Sequence, residues 1–152
     1  MKYTLLVLLT AISLANPLFH IIDGDTLKHT DNGITTKLRL AYIDAPELNQ
    51  DFGKDSKQLL KATIENCKDL QILNGPKDIY NRTLITLICE NENINMALVR
   101  MGYAWSYNRT KNNMYMKMEQ QARKYKLGLW EFENPVNPRD YRKAQKINAK
   151  TK

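Results

Sequence analysis

A chain of 152 residues is read as one domain, with enough length for a single core. Its formal charge of +7 suggests a polyanion partner, but from residue 134 onward six basic residues (Arg139, Arg142, Lys143, Lys146, Lys150, Lys152) face one acid, Asp140, so most of the excess belongs to the C-terminal segment. Two isolated histidines, His20 and His29, argue against a histidine-metal or histidine-pair hydrolase, and no Gly-rich phosphate loop, CxxC or GxSxG element is present.

In chain order, residues 1–15 place Lys2 before a short apolar run that closes on Ser13, Leu14 and Ala15. That run is too short to span a bilayer and carries the small residues a signal peptidase accepts. A cleaved secretory signal is expected, with no stable membrane anchor afterwards and a secreted or periplasmic product. Residues 18–23 and 26–30 read as strands joined at the Asp23-Gly24-Asp25 turn. Asp31-Asn32-Gly33 marks a second turn and residues 35–43 a third strand, with Leu38, Leu40 and Tyr42 on one face and Arg39, Ala41 and Ile43 on the other.

A helix is expected over residues 54–66 with Leu59, Leu60, Thr63, Ile64 and Cys67 as its apolar stripe. Residues 70–73 and 83–89 follow as strands, with loop signals at 74–76 and 78–81. If Leu70 sits opposite Thr86, Cys67 faces Cys89, and export to an oxidising compartment favours a disulfide between them. Asn95 is expected to cap a short helix over 96–101 that Gly102 ends, and a last helix runs over 113–127 with Tyr115, Met118, Ala122 and Tyr125 on one face. Trp105 is assigned to the core. Pro135 and Pro138 open a basic segment, residues 134–152, that is expected to stay mobile because it has little apolar surface to bury. The triplets Asn81-Arg82-Thr83 and Asn108-Arg109-Thr110 match a glycosylation acceptor pattern and are read as chance occurrences.

The chemistry is concentrated in RLAYIDAPE, residues 39–47. Strict alternation would put Arg39 and Asp44 on opposite faces, so they converge only if the strand bends or ends, which Pro46 makes reasonable. With Asp25 upstream and DIYNR (78–82) downstream, the chain offers carboxylates for a hard cation (Asp25, Asp44), a further carboxylate (Glu47) and two guanidiniums (Arg39, Arg82). Phosphodiester hydrolysis needs that inventory.

These motifs, IDGDT (22–26), RLAYIDAPE, DIYNR, NMALVRMGYAW (95–105) and GLW (128–130), occur in the order seen in the thermonuclease (staphylococcal nuclease) family, which the chain resembles from about residue 18 to 130. The resemblance implies an α+β fold, a five-stranded OB-fold β-barrel with three α-helices, over residues 16–133. It implies a calcium ion held by Asp25, Asp44 and the main chain at Ala45, where the family commonly has threonine. Glu47 is similar to the family's base or water-positioning group. Arg39 and Arg82 match its phosphate-binding arginines, and Tyr80 and Tyr107 the tyrosines that flank the nucleotide. Asn81 stands where the family usually has glycine. The expected activity is sugar-nonspecific endonucleolytic cleavage of single-stranded DNA and RNA by a monomer, leaving 3′-phosphates. The alternative is a noncatalytic nucleic-acid-binding OB-fold module.

Overall fold

The computed structural model describes residues 18–107 and 113–151; the leader expected over 1–15 and the acceptor triplet at 108–110 lie outside them. Strand β1 (Leu18–Ile21) runs antiparallel to β2 (Thr26–Asp31), and β2 to β3 (Ile34–Leu40). Asp31 pairs with Ile34, so Asn32 (φ 47°) and Gly33 (φ 79°) form a two-residue loop with both residues left-handed, the geometry that follows the twist of the flanking strands. After β4 (Ile43–Asp44), helix α1 (Gly53–Glu65) buries Ser56, Leu60 and Ile64, one residue per turn. Strand β5 (Leu70–Lys77) pairs antiparallel with β6 (Thr83–Cys89), which lies parallel to β3, so the main sheet has the order β1-β2-β3-β6-β5. Short β7 (Glu92–Asn93) also pairs with β6, and β8 (Trp105–Ser106) pairs with β4.

Helices α2 (Ile94–Arg100) and α3 (Asn113–Lys124) complete a core that includes Leu27, Leu38, Leu40, Leu60, Ile85, Leu87, Leu98 and Val99, while Leu129 and Trp130 of a 3-10 turn pack with Ala122 in a second cluster. The architecture is α+β, as the OB-fold reading requires. Among the described residues there are four α-helices where three were expected. None of them is long and apolar enough to cross a membrane.

The additional helix is α4 (Pro138–Lys150), in the segment expected to remain a mobile tail. Its start obeys local rules: the Asn137 side chain accepts from the Arg139 N–H and Pro138 occupies the first turn. Helical propensity and those caps outweigh the lack of apolar surface. Only Pro138 is buried, and residues 143–150 are exposed.

Four further expectations are corrected. The strand expected over 35–43 is broken: Tyr42 is left-handed (φ 68°), Leu40 and Ala41 are both buried, and the chain resumes as β4. The bend therefore lies at Tyr42 rather than at Pro46. Strand β5 continues through residues 74–76 to Lys77 with a register shift, so the turn is confined to 78–82. Leu70 faces Cys89 rather than Thr86, three residues from the expected register. Cys67 and Cys89 are nevertheless disulfide-bonded, with Cα atoms 5.8 Å apart, because Cys67 closes the end of α1 over the last residue of β6. On α3, Tyr125 is exposed, since the helix ends at Lys124.

Asn95 is not the cap of α2. Asn93 has that role, accepting from the Met96 N–H at 3.0 Å. Asn95 is fully buried instead; its amide donates to Ala41 O (3.1 Å) and Ile85 O (3.0 Å), and its oxygen accepts from the Leu87 N–H (3.2 Å). One side chain thus satisfies the carbonyl that the break after β3 removes from the ladder.

Candidate active site

The break at Ala41 and Tyr42 has a chemical consequence: Arg39 and Asp44, five residues apart, now meet. Arg39 Nη2 donates to Asp44 Oδ1 (2.9 Å) and to Ile43 O (3.2 Å), while Nη1 pairs with Asp25 Oδ1. Asp25 arrives from the turn between β1 and β2. The Asp23 carboxylate accepts from the N–H groups of Asp25 (3.0 Å) and Thr26 (2.7 Å), shaping that turn from within. Gly24 is required there, because a Cβ would lie 2.0 Å from Ser56 Oγ and 2.7 Å from the Ala45 methyl. Asp25 Oδ2 in turn accepts from the Ala45 N–H at 2.6 Å. Asp25, Asp44 and Ala45 are each 4% exposed.

Glu47 follows in a turn built around Gln50. The Gln50 N–H donates to Glu47 O (2.8 Å), and its side-chain oxygen accepts from the Glu47 N–H (3.1 Å). Gly53 lets the start of α1 sit against that turn, since a Cβ would come within 1.9 Å of Glu47 O. The Gln50 amide also donates to Val136 O (2.6 Å), which ties the turn to the segment leading into α4.

Helix α4 then brings a residue that no motif indicated. Arg142 Nη1 donates to Glu47 Oε1 (2.6 Å) and Asp44 Oδ1 (3.1 Å), and Nη2 donates to Asp44 Oδ2 (2.8 Å). The corner therefore holds Asp25, Arg39, Asp44, Glu47 and Arg142 together.

Arg82 does not join them through a direct contact. Asp78 holds it through Arg82 Nε (2.8 Å) and Nη2 (2.6 Å), and also accepts from the N–H groups of Tyr80 and Arg82 (2.9 Å each). These bonds hold the Asp78 carboxyl below the usual range, against the upward push of burial. Asn81 takes the left-handed turn position with φ 61°. Tyr80 is 71% exposed, with the Arg82 guanidinium 5.4 Å from its ring centroid. Tyr107 is 37% exposed and its N–H donates to Tyr42 O (2.8 Å), which places it beside β4. Trp105 is partly buried, against Trp130 at a centroid separation of 4.3 Å.

Electrostatically the corner is a balance of buried charges. Burial lowers the proton affinity of Arg39; the Arg82 and Arg142 charges lower it further, and Asp44 and Asp23 oppose them. The same Arg82 charge acts on Asp23, whose carboxyl burial nonetheless pushes up. Arg142 shifts upward, chiefly through its hydrogen bonds to Asp44.

The donor chemistry fits a hard cation. Two buried carboxylates converge, and guanidinium groups already engage both. No cluster of three or more His, Cys, Asp or Glu side chains of a metal-holding kind occurs among the described residues, so backbone oxygen and water would complete any coordination shell.

Comparison with known proteins gives the arrangement a lineage. Residues 37–132 match the family described as staphylococcal nuclease homologue. The chain belongs to that family. An uncharacterized endonuclease of Haemophilus influenzae is 38% identical over 130 residues, covering 84% of this chain and 72% of the relative. A micrococcal nuclease of Shigella flexneri is 36% identical over 139 residues, covering 83% and 79% respectively. An uncharacterized endonuclease of Escherichia coli O157:H7 is 32% identical over 120 residues, 78% of each chain. This staphylococcal nuclease homologue is an enzyme of the endonuclease class. Asp25 precedes the family-matched span and Arg142 follows it.

Sequence reading missed Arg142 and Gln50, and took Asp78 only as the first residue of DIYNR without giving it a role of its own. Asn137-Pro138 was the available signal for a helix start, but nothing in a basic run says which arginine turns inward. Gln50 acts through bonds to backbone, a positioning role that leaves no spacing signature.

Proposed function

We propose that this protein is an exported, calcium-dependent, sugar-nonspecific endonuclease that cleaves DNA and RNA and leaves 3′-phosphate ends. The observation that carries the reading is the convergence of Asp25, Arg39, Asp44 and Glu47 at one corner, made by the break after β3. The preferred substrate is single-stranded, because Tyr80 and Tyr107 offer exposed rings on which any unpaired base can stack. Arg39 and Arg82 bind the scissile phosphate through planar forks, which suit two oxygens at once. Glu47 orients a water, or takes its proton, for in-line attack on phosphorus. The bond from phosphorus to the 5′-oxygen breaks, that oxygen takes up a proton, and the phosphate stays on the 3′ side. A calcium ion held by Asp25, Asp44 and the Ala45 carbonyl would supply positive charge against the phosphoryl oxygens.

The disulfide Cys67–Cys89 supports export, since such bonds persist in oxidising compartments. A noncatalytic binding module would have no use for this complete set of acids and arginines. The deciding experiment treats single-stranded DNA and RNA with purified mature protein, in calcium and in excess chelator, and analyses the product ends. Calcium-dependent cleavage to 3′-phosphates is expected. Full activity in chelator, or a zinc requirement, overturns the reading.

A further inference from the structure

Helix α4 is fastened to the rest of the molecule in an unusual way. Its ties are Pro138, the only buried residue of the helix, the Tyr141 hydroxyl donating to Asn49 O (2.9 Å) and the Arg142 fork, with the Gln50 to Val136 bond just before it. Beyond Arg142 the helix is solvated to its end. Docking therefore depends on polar contacts, and the strongest of these fall on the two carboxylates the enzyme would need for chemistry. Arg142 takes both oxygens of Asp44 and one of Glu47.

We propose that Arg142 is a built-in competitor for the divalent cation: it occupies Asp44, one of the cation's ligands, together with the neighbouring Glu47, and leaves when the cation binds. The inference rests on the cation site proposed above. Asp44 Oδ1 already accepts from Arg39 and Arg142, and Oδ2 accepts from Arg142. A carboxylate has about four lone-pair positions, so Asp44 has little capacity left for a metal bond. A guanidinium and a divalent cation on the same carboxylate would also repel each other at short range. Arg39 keeps an anchor outside the cation's ligand set, the Ile43 carbonyl, when the cation takes the carboxylates. Among the described residues Arg142 bonds through its guanidinium to Asp44 and Glu47 alone.

Two results follow from linkage. Apparent cation affinity is reduced by the population of the Arg142-bound state. Cation binding, reciprocally, loosens α4 by the same factor. The exchange also uncovers Glu47 and releases a basic helix carrying Arg139, Lys143, Lys146 and Lys150 close to where a nucleic-acid strand would lie. In the cation-free state the protein is guarded by its own C-terminal helix.

The test is calcium binding to the full mature chain without substrate, by titration calorimetry, for wild type and Arg142→Gln. The variant is expected to bind about 5- to 20-fold more tightly, at the lower end of typical coupling between linked sites. Hydrogen exchange on wild type alone provides a second readout, with faster exchange across residues 143–150 expected when calcium is added. Unchanged or weaker calcium affinity in Arg142→Gln overturns the competition, and so does α4 exchange that calcium leaves unaltered; the endonuclease reading survives either result. Failure of both proteins to bind calcium at millimolar concentration removes the cation site and the inference together.

Discussion

Replacing Arg39 by alanine should damage stability and catalysis separately, and calcium should tell the two apart. The Arg39 side chain is 11% exposed and stands between the carboxylates of Asp25 and Asp44, which are 6% and 5% exposed. Its removal leaves two buried negative charges close together, with only Arg142 to offset Asp44. Breaking a buried ion pair from one side costs about 3–5 kcal/mol, a large part of the roughly 5–15 kcal/mol that holds a domain of this size together. The melting temperature should fall by about 10–20 °C. Calcium at about 100 times its dissociation constant should return roughly 2.7 kcal/mol, so the variant should gain at least as much from calcium as wild type does. Turnover should remain down by about 10²–10³-fold even where the variant is folded, because the donor proposed to bind the phosphate is gone. Arg39→Lys should recover part of the melting temperature and little of the turnover, since an ammonium lacks the fork. Circular-dichroism melts in calcium and in chelator, with initial rates on single-stranded DNA below the melt, measure all of this. An Arg39→Ala protein that melts with wild type in chelator would refute the buried-charge argument.

Glu47→Gln should lose about 10²–10⁴-fold in single-turnover rate with an unchanged melt, because the Glu47 side chain is 34% exposed and an amide oxygen can still accept from Arg142; a near wild-type rate removes Glu47 from the chemistry. Asn95→Ala strands Ala41 O at the β3 break and the Leu87 N–H, and leaves Ile85 O with the Ala41 N–H. It should lower the urea midpoint by an amount equivalent to about 3–5 kcal/mol, and an unshifted midpoint would show that water replaces the amide. Cys67→Ser with Cys89→Ser opens a loop spanning 22 residues of sequence and should cost about 3 kcal/mol, read as the gap between non-reduced wild type and the variant; two thiols found by mass spectrometry in non-reduced exported protein would remove the bond itself.

Local chemistry was legible in the residues alone. Asn32-Gly33 demands a left-handed two-residue loop whatever surrounds it, and Asp23-Gly24-Asp25 shapes its own turn through one carboxylate. Asp44, Glu47 and the single arginine of 39–47, Arg39, stood out because phosphodiester hydrolysis calls for acids and guanidiniums near one bend. The position of that bend was not legible. Pro46 looked like the cause, yet the chain breaks at Tyr42, and the displaced carbonyl of Ala41 accepts from the buried Asn95 amide, 54 residues further along the chain. The register of β5 on β6 was hidden for a related reason: the shift between Asn74 and Lys77 responds to how two strands pair and not to the order of residues in one.

The same division separates Arg142 from the other site residues. By itself the sequence determined a basic C-terminal segment, which was read as mobile, and nothing in that charge run distinguishes Arg142 from Arg139 or Lys146. The path of residues 128–137 brings α4 back across the turn at Glu47, and that tertiary route alone makes Arg142 the partner of Asp44, 98 residues away. Turns and periodic faces depend on neighbours in sequence, so they can be read from it. A charge that closes an active-site corner depends on where a whole folded body puts its last helix, and only that body decides it.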